Sequence, residues 1–211
     1  MDYKDPEFKK LLVAFHGDAC PISLFGARMG LVAMKHFGVE EKSPRNFIVI
    51  TENPACLIDG IQFTTGCTVG SGNIIPENYG KLGATFYRKK DDRAIRIKIA
   101  PQLAEEFEEV GKGIIDDMLK GAKFGKDERR QGLSKRFMQL SDEGLFEIIE
   151  VDISDEIRDP TPEQFLMRRG FIVHRTRCDL CSENVEETLT IKKDGKTLCM
   201  PCAGEGLYRV K

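Results

Sequence analysis

The sequence predicts a fold of the α+β class, in which helices and an antiparallel sheet form a core domain and a small cysteine-rich module follows. Three observations support this prediction. Apolar residues recur at helical spacing near the N-terminus, two alternating segments flank a polar turn, and four cysteines form two close pairs near the C-terminus. We place the core domain at residues 1–158 and the linker with its module at 159–211, because Asp-Pro-Thr-Pro at 159–162 is typical of a turn or linker.

The first half of the core is predicted to hold two helices and a strand. Apolar residues at helical spacing predict a helix over 8–16 and a second one over 21–38. The second helix begins at Pro21, and proline is favoured at a first helical position. A β-branched and aromatic run at 46–51 predicts a buried strand. Residues 52–83 mix glycine with polar residues, which predicts loops that carry chemistry.

The second half of the core is predicted to complete the sheet. Alternation at 84–89 and at 94–100 predicts a β-hairpin, and alternation at 147–153 predicts a strand that returns to the same sheet. Helical spacing at 103–118 and at 133–140 predicts two helices between the hairpin and that strand.

Composition and charge exclude several classes of function. The formal net charge is only -2, so nucleic acid is not the expected partner. The basic run from Lys123 to Arg136 is a local exception, but an acidic helix precedes it and no aromatic residues interleave, so we prefer a solvated helix face. The apolar runs are too short to cross a bilayer and residues 1–10 are charged, so we expect a cytoplasmic protein without membrane association.

The C-terminal cysteines have the spacing of a metal site. Cys178 and Cys181 form one Cys-x2-Cys pair, Cys199 and Cys202 form another, and a predicted hairpin around Asp194-Gly195 separates them. This order resembles a treble-clef zinc finger. Four thiolates leave zinc no open position, so we expect a structural role, and redox-active cysteine pairs are the alternative. Before the module we expect a strand at 171–176 and a short helix capped by Thr161.

The core contains further histidine and cysteine residues in three separate segments. His16 and Cys20 flank the break between the first two helices, while Cys56 and Cys67 lie in the glycine-rich polar stretch. Spacing alone does not show that they meet, and buried cysteine is commonly a small packing residue. Cys20 directly precedes a helix-starting proline, where the helix dipole favours a thiolate.

These residues belong to four ordered motifs, which are FHGDACP (15–21), ENPACLIDGIQ (52–62), TGCTVGSGN (65–73) and NYGK (78–81). Over roughly residues 8–155 they resemble the family named for the E subunit of molybdenum or tungsten formylmethanofuran dehydrogenase. The resemblance implies an α+β core, typically a homodimer, with the motif residues gathered in a cleft. The family pattern usually begins His-Gly-His-x-Cys-Pro-Gly, and here Asp18 replaces the second histidine and Ile22 replaces the glycine.

The resemblance also implies a second metal site. His16, Cys56 and Cys67 are the candidate ligands, with Cys20 as a fourth ligand or a nearby thiolate. One nitrogen and two sulfurs suit zinc or another transition metal, and three protein ligands leave a place for water or substrate.

Catalytic and cofactor-binding candidates surround that site. The catalytic candidates are Cys20, Asp18 and Asp59, and either aspartate is expected to orient the histidine or transfer a proton. Tyr79 and Lys81 are the candidates for holding an anionic group.

Our leading hypothesis is a zinc-binding protein whose core cleft binds a metal and a small one-carbon or pterin-like substrate. The alternative is an accessory or adaptor subunit that docks onto a partner enzyme through the zinc finger and has no catalysis of its own. The sequence leaves open whether the chain is an enzyme. A third hypothesis, nucleic-acid binding through residues 123–136, predicts a steep salt dependence.

Overall fold

The computed structural model describes residues 2–122 and 128–208, and the chain divides into two compact units, Met1–Arg158 and Asp159–Lys211. The first unit contains helices and a five-stranded sheet. Its helices are α1 (Pro6–His16), α2 (Pro21–His36), α3 (Leu57–Thr65), α4 (Pro101–Leu119), α5 (Glu128–Gln139), α6 (Asp142–Leu145) and α7 (Asp155–Arg158). Its strands are β1 (Ile48–Thr51), β2 (Ile74–Pro76), β3 (Gly83–Arg88), β4 (Arg93–Ile99) and β5 (Phe146–Val151).

The sheet has the strand order β2-β1-β3-β4-β5. Strands β3, β4 and β5 pair antiparallel in sequence, and β1 pairs antiparallel with β3, whereas β1 and β2 are parallel. The predicted α+β class, hairpin and returning strand are therefore confirmed. The parallel β1–β2 pair is possible because α3 connects the two strands.

The larger apolar cluster of the first unit joins residues of the sheet and the helices, and a smaller one contains Tyr87, Ala94 and Ile153. Strand residues such as Val49, Phe86 and Ile97 pack in the larger cluster with Phe25 of α2 and Ile61 of α3. Helix α2 is buried along most of its length, which explains why its sequence is apolar on more than one face. The helices that present the site are thus held by the core.

Helices α2 and α3 cross with their backbones in close approach. A Cβ atom at Gly60 would overlap the carbonyl oxygen of Ser23, and one at Gly26 would overlap the carbonyl oxygen of Leu57. Only glycine allows this spacing. The crossing fixes the first turns of both helices relative to each other.

The segment that we expect to be loop contains a helix and a strand. Helix α3 and strand β2 lie within residues 52–83, so the loop prediction is wrong there. Gly60 lies inside α3, where it serves the close crossing instead of ending the helix. The glycine that ends α3 is Gly66, which takes a left-handed conformation.

The second unit is small and built around the cysteines. It contains α8 (Pro162–Arg168), β6 (Arg175–Arg177), β7 (Asn184–Glu186), a 3-10 turn (Glu187–Leu189), β8 (Thr190–Lys193), β9 (Lys196–Cys199) and α9 (Met200–Ala203). Thr161 caps α8 as expected, whereas the strand expected at 171–176 begins only at Arg175. Strands β6 and β7 form one antiparallel pair, and β8 and β9 form the predicted hairpin.

No helix in the described ranges is both long and apolar enough to cross a membrane.

The basic run is described only from residue 128 onward, so Lys123 and Lys126 lie outside the described residues. Two of its arginines pair with acidic residues of α4: Arg129 lies 2.7 Å from Asp117, and Arg136 lies 3.7 Å from Glu106. In these ion pairs the two arginines contact carboxylates, whereas the nucleic-acid hypothesis would have them contact phosphate groups.

Candidate metal centres

A histidine and two cysteines from three segments meet in the core unit. His16 is the last residue of α1, Cys20 directly precedes α2, and Cys56 directly precedes α3. One ligand atom of each lies within 4.8 Å of the others. The α2–α3 crossing explains the meeting, because it sets the starts of two helices side by side while Gly17 turns the chain between α1 and α2.

Asp59 orients the histidine. Its Oδ2 lies 2.7 Å from Nδ1 of His16, and Asp59 belongs to the first turn of α3. This contact makes Nδ1 the protonated nitrogen of a neutral ring, which leaves the lone pair of Nε2 for a ligand. The imidazole is 11% exposed, so the rest of its surface is held by protein.

Asp18 lies on the other side of the ring. Its Oδ1 is 3.5 Å from Nε2 of His16, and its Oδ2 accepts a hydrogen bond from Nη2 of Arg130 at 3.3 Å. Arg130 comes from α5, and its side chain is only 8% exposed. The sequence predicts a solvated basic face at this position, and nothing in the neighbourhood of Arg130 along the chain indicates that it turns inward.

The two thiols share an environment that favours a cation. Burial raises the pKa of Cys56 to about 11, and the neighbouring Cys20 and Asp18 contribute to that rise. Helices α2 and α3 both begin at this point, and the positive ends of their backbone dipoles would stabilise the two sulfurs as thiolates on a bound ion. Thiol, imidazole and carboxylate groups gathered this closely match the donor set of a borderline-soft metal ion.

Cys67 lies apart from this group. It follows α3, is fully buried, and its Sγ is 3.5 Å from the carbonyl oxygen of Phe47. Of the candidate ligands His16, Cys56 and Cys67, the structure brings the first two together with Cys20 and leaves Cys67 outside the group. The physical reason is that the left-handed turn at Gly66 directs the chain back toward the segment before β1.

Tyr79 and Lys81 are held through their backbones. Both amides donate to the carbonyl oxygen of Glu52, at 3.0 and 3.4 Å, and the Glu52 carboxylate is fixed by Arg96. The exposed Tyr79 side chain has no hydrogen bond to His16 or the two thiols within the described residues, and the same holds for Lys81. The structure thus places these two residues beside the segment that leads to Cys56 without joining them to the metal-ligand group.

The four cysteines of the second unit form a separate group. The Sγ atoms of Cys178, Cys181, Cys199 and Cys202 lie within 4.8 Å of one another. Backbone N–H groups of Cys181 and Cys199 lower the pKa of Cys178 to about 6, whereas burial raises the pKa of Cys202. The first pair lies at a turn before β7, whereas Cys199 ends β9 and Cys202 lies in α9, an order that resembles a treble-clef finger. This group can hold a metal ion such as zinc.

Comparison with known families matches the part of the chain that contains the core group. Residues 15–147 match the family described as "FmdE, Molybdenum formylmethanofuran dehydrogenase operon". This chain belongs to the FmdE family. The matched range includes His16, Cys20, Cys56 and Asp59, so all four residues of the core arrangement lie within the FmdE region.

Two known proteins resemble this FmdE chain over most of its length. A protein of Archaeoglobus fulgidus named "Probable S-adenosyl-L-methionine-binding protein" is 31% identical over 195 residues, which are 90% of this chain and 50% of that protein. The chain thus spans about half the length of that relative. A crystal structure of a tungsten formylmethanofuran dehydrogenase FmdE-like protein from Syntrophus aciditrophicus has a TM-score of 0.64 at 22% identity. That match covers 99% of this chain and 95% of the other, and it concerns the fold.

Proposed function

We propose that this FmdE-family protein binds one transition-metal ion in its core through Nε2 of His16 and the sulfurs of Cys20 and Cys56, and a second, structural zinc ion in the four-cysteine finger. The observation that carries the proposal is the meeting of the three core ligand atoms within 4.8 Å while Asp59 occupies the other ring nitrogen. One nitrogen and two sulfurs make zinc the first candidate for the core ion as well.

The core centre is proposed to be open to a small ligand. Three protein ligands leave one tetrahedral position, and a zinc ion bound there would supply Lewis-acid chemistry. A cavity of about 20 Å³ on the side of α5 has room for about one water, so a substrate has to approach from elsewhere. Asp18 and Asp59 are both about half exposed, so they mark the side that solvent reaches and stand where a proton can be accepted.

The substrate class is proposed from relatives. A small one-carbon molecule fits the name of the family, a pterin-like molecule is the class proposed beside it, and S-adenosyl-L-methionine is a further candidate because the name of the Archaeoglobus relative contains it. Calorimetric titration of the metal-loaded protein with each class discriminates between them. Binding that is lost in Cys20→Ser/Cys56→Ser would connect the ligand to the core centre.

Elemental analysis tests the metal proposal directly. We expect two ions per chain in the native protein and one in Cys20→Ser/Cys56→Ser. Cys67→Ser is the matched control, because Cys67 is a core cysteine outside the group and should leave two ions bound. A double variant that still holds two ions would overturn the proposal for the core.

An adaptor role is the second candidate function. It is favoured by the exposed apolar side chains of the second unit, which include Phe165, Phe171, Leu180 and Leu189. An adaptor should co-purify with a partner enzyme in a fixed stoichiometry. The partner should be lost from the Phe171→Ser/Leu180→Ser variant and stay bound to the Cys20→Ser/Cys56→Ser variant. A partner that responds only to the core substitutions would contradict docking through the finger.

A further inference from the structure

We infer that Arg130 is a positioning residue of the core metal centre and acts through Asp18. This inference rests on the proposed function, because it assigns the residue that orients a group beside the proposed ion. It concerns a side chain outside the motifs that identified the site, and one that comes from a different helix.

The geometry of Asp18 carries the inference. One of its oxygens lies 3.3 Å from Nη2 of Arg130, and the other lies 3.5 Å from Nε2 of His16, the nitrogen that Asp59 leaves available. A guanidinium presents its donors in a rigid planar group, so the contact at Oδ2 restrains the direction of the carboxylate. Arg130 therefore holds Oδ1 of Asp18 beside Nε2 of His16, next to the position proposed for the ion.

The helix that carries Arg130 is itself firmly held. Leu133 and Phe137 of α5 lie in the apolar core. The fully buried Arg28 of α2 donates to the carbonyl oxygens of Phe137 and Leu140, the latter at 3.0 Å, and pairs with Asp142 at 2.5 Å. Arg130 thus reaches Asp18 from an anchored element, as required of a residue that sets the orientation of another.

A purely structural ion pair is a weaker account of the same contact. Asp18 is 47% exposed, and pairs with one exposed partner contribute little to stability. Burying a guanidinium is costly, and a half-exposed carboxylate offsets only part of that cost. The charge would have a use at a metal-loaded centre, where two metal-bound thiolates and two aspartates would surround one dication and Arg130 would offset part of the excess negative charge.

A double-mutant cycle on core metal affinity tests the inference. Zinc affinity is measured by chelator competition in the full chain with a loaded finger, for the native protein, Arg130→Gln, Asp18→Asn and the combined variant. We expect Arg130→Gln to weaken core binding about 10- to 100-fold, as removal of outer-shell partners does. In the Asp18→Asn protein, Arg130→Gln should change the zinc affinity less than about two-fold, because the carboxylate through which Arg130 acts is already absent.

Cobalt spectra supply a readout that a structural role would not move. The visible bands of the cobalt-loaded core, obtained after subtracting the Cys20→Ser/Cys56→Ser spectrum, should shift in Arg130→Gln and recover in part in Arg130→Lys. Arg129→Gln is the control, because Arg129 is the preceding residue of α5 and pairs with Asp117.

The outcomes separate the two proposals. Additive effects of the two substitutions on affinity, or a lowered melting temperature with unchanged affinity and unchanged cobalt bands, would overturn the role of Arg130 and leave the metal centre standing. A native core that binds no ion would overturn the proposed function and this inference together. Should Arg130→Gln fail to fold, Arg130→Lys is measured in the native and Asp18→Asn proteins instead. Lysine keeps the positive charge but lacks the planar guanidinium.

Discussion

At the scale of single residues, the contact between His16 and Asp59 leaves one nitrogen of the imidazole available as a ligand. The histidine ends α1, and the aspartate stands one turn into α3, 2.7 Å from Nδ1. With Nδ1 donating, the lone pair of Nε2 stays available for a ligand, and one ring nitrogen lies within 4.8 Å of the sulfurs of Cys20 and Cys56. Cys56 and Cys67 differ in position although they belong to one stretch, because the backbone turns Cys56 toward His16 and Cys67 toward the carbonyl oxygen of Phe47.

Replacing Asp59 tests this orientation at the residue scale. Asp59→Asn keeps the size of the side chain but removes the charge that aligns the ring, so we expect core zinc affinity to fall about 10- to 100-fold. Chelator competition measures the change. The melting temperature should move little, because the Asp59 side chain is 41% exposed and such a pair contributes little to stability.

Asp116→Asn is the control for charge removal. Asp116 lies on the exposed face of α4, and its replacement should leave the core affinity unchanged. Equal losses in both variants would mean that general electrostatics, and not the orientation of His16, sets the affinity.

At the scale of elements, the crossing of α2 and α3 creates the site. Gly60→Ala introduces a methyl group where the carbonyl oxygen of Ser23 lies, so the helices must separate. We expect a loss of about 1–3 kcal/mol or more in the free energy of unfolding, as for other overpacked cores. Core metal should weaken with it, because Cys20 and Cys56 precede the two helices. Denaturant unfolding and metal competition measure the two effects.

Gly132→Ala is the matched helix control. Gly132 lies in α5, and among the described residues beyond its own stretch of helix no atom lies within 4 Å of an added Cβ. Alanine should therefore stabilise the protein by about 0.5–1 kcal/mol through its better helix propensity. If Gly60→Ala behaved like Gly132→Ala, the close crossing would not be needed for the site.

The same crossing explains what the sequence can and cannot predict. Helices with a strong apolar stripe, such as α1 and α2, and the β3–β4 hairpin follow from periodicity alone. Helix α3 does not follow from periodicity, because Gly60 is required by the close approach of α2, and a local sequence pattern does not contain that tertiary contact. Arg130 is hidden for a similar reason: the contact that gives it a role joins residues 112 positions apart.

At the scale of the whole molecule, the two units owe their folding to different interactions. The first unit has an extended apolar core to which β1, β3 and β4 contribute fully buried side chains. The buried cluster of the second unit consists of Cys178, Leu198, Cys199 and Ala203, so half of it is cysteine. A unit of this size buries too little apolar surface to offset its conformational entropy without a further crosslink. Its folding is therefore expected to depend on the metal ion.

Metal removal should unfold one unit and spare the other. Under reducing conditions with excess chelator, we expect the amide signals of residues 159–208 to collapse to random-coil positions in a two-dimensional NMR spectrum, because zinc binding supplies the free energy of folding in such modules. The signals of β1, β3 and β4 should stay dispersed, since their packing is apolar. Cys20→Ser/Cys56→Ser should keep the second unit folded until chelator is added. A second unit that stays dispersed after metal loss would show that its apolar contacts suffice.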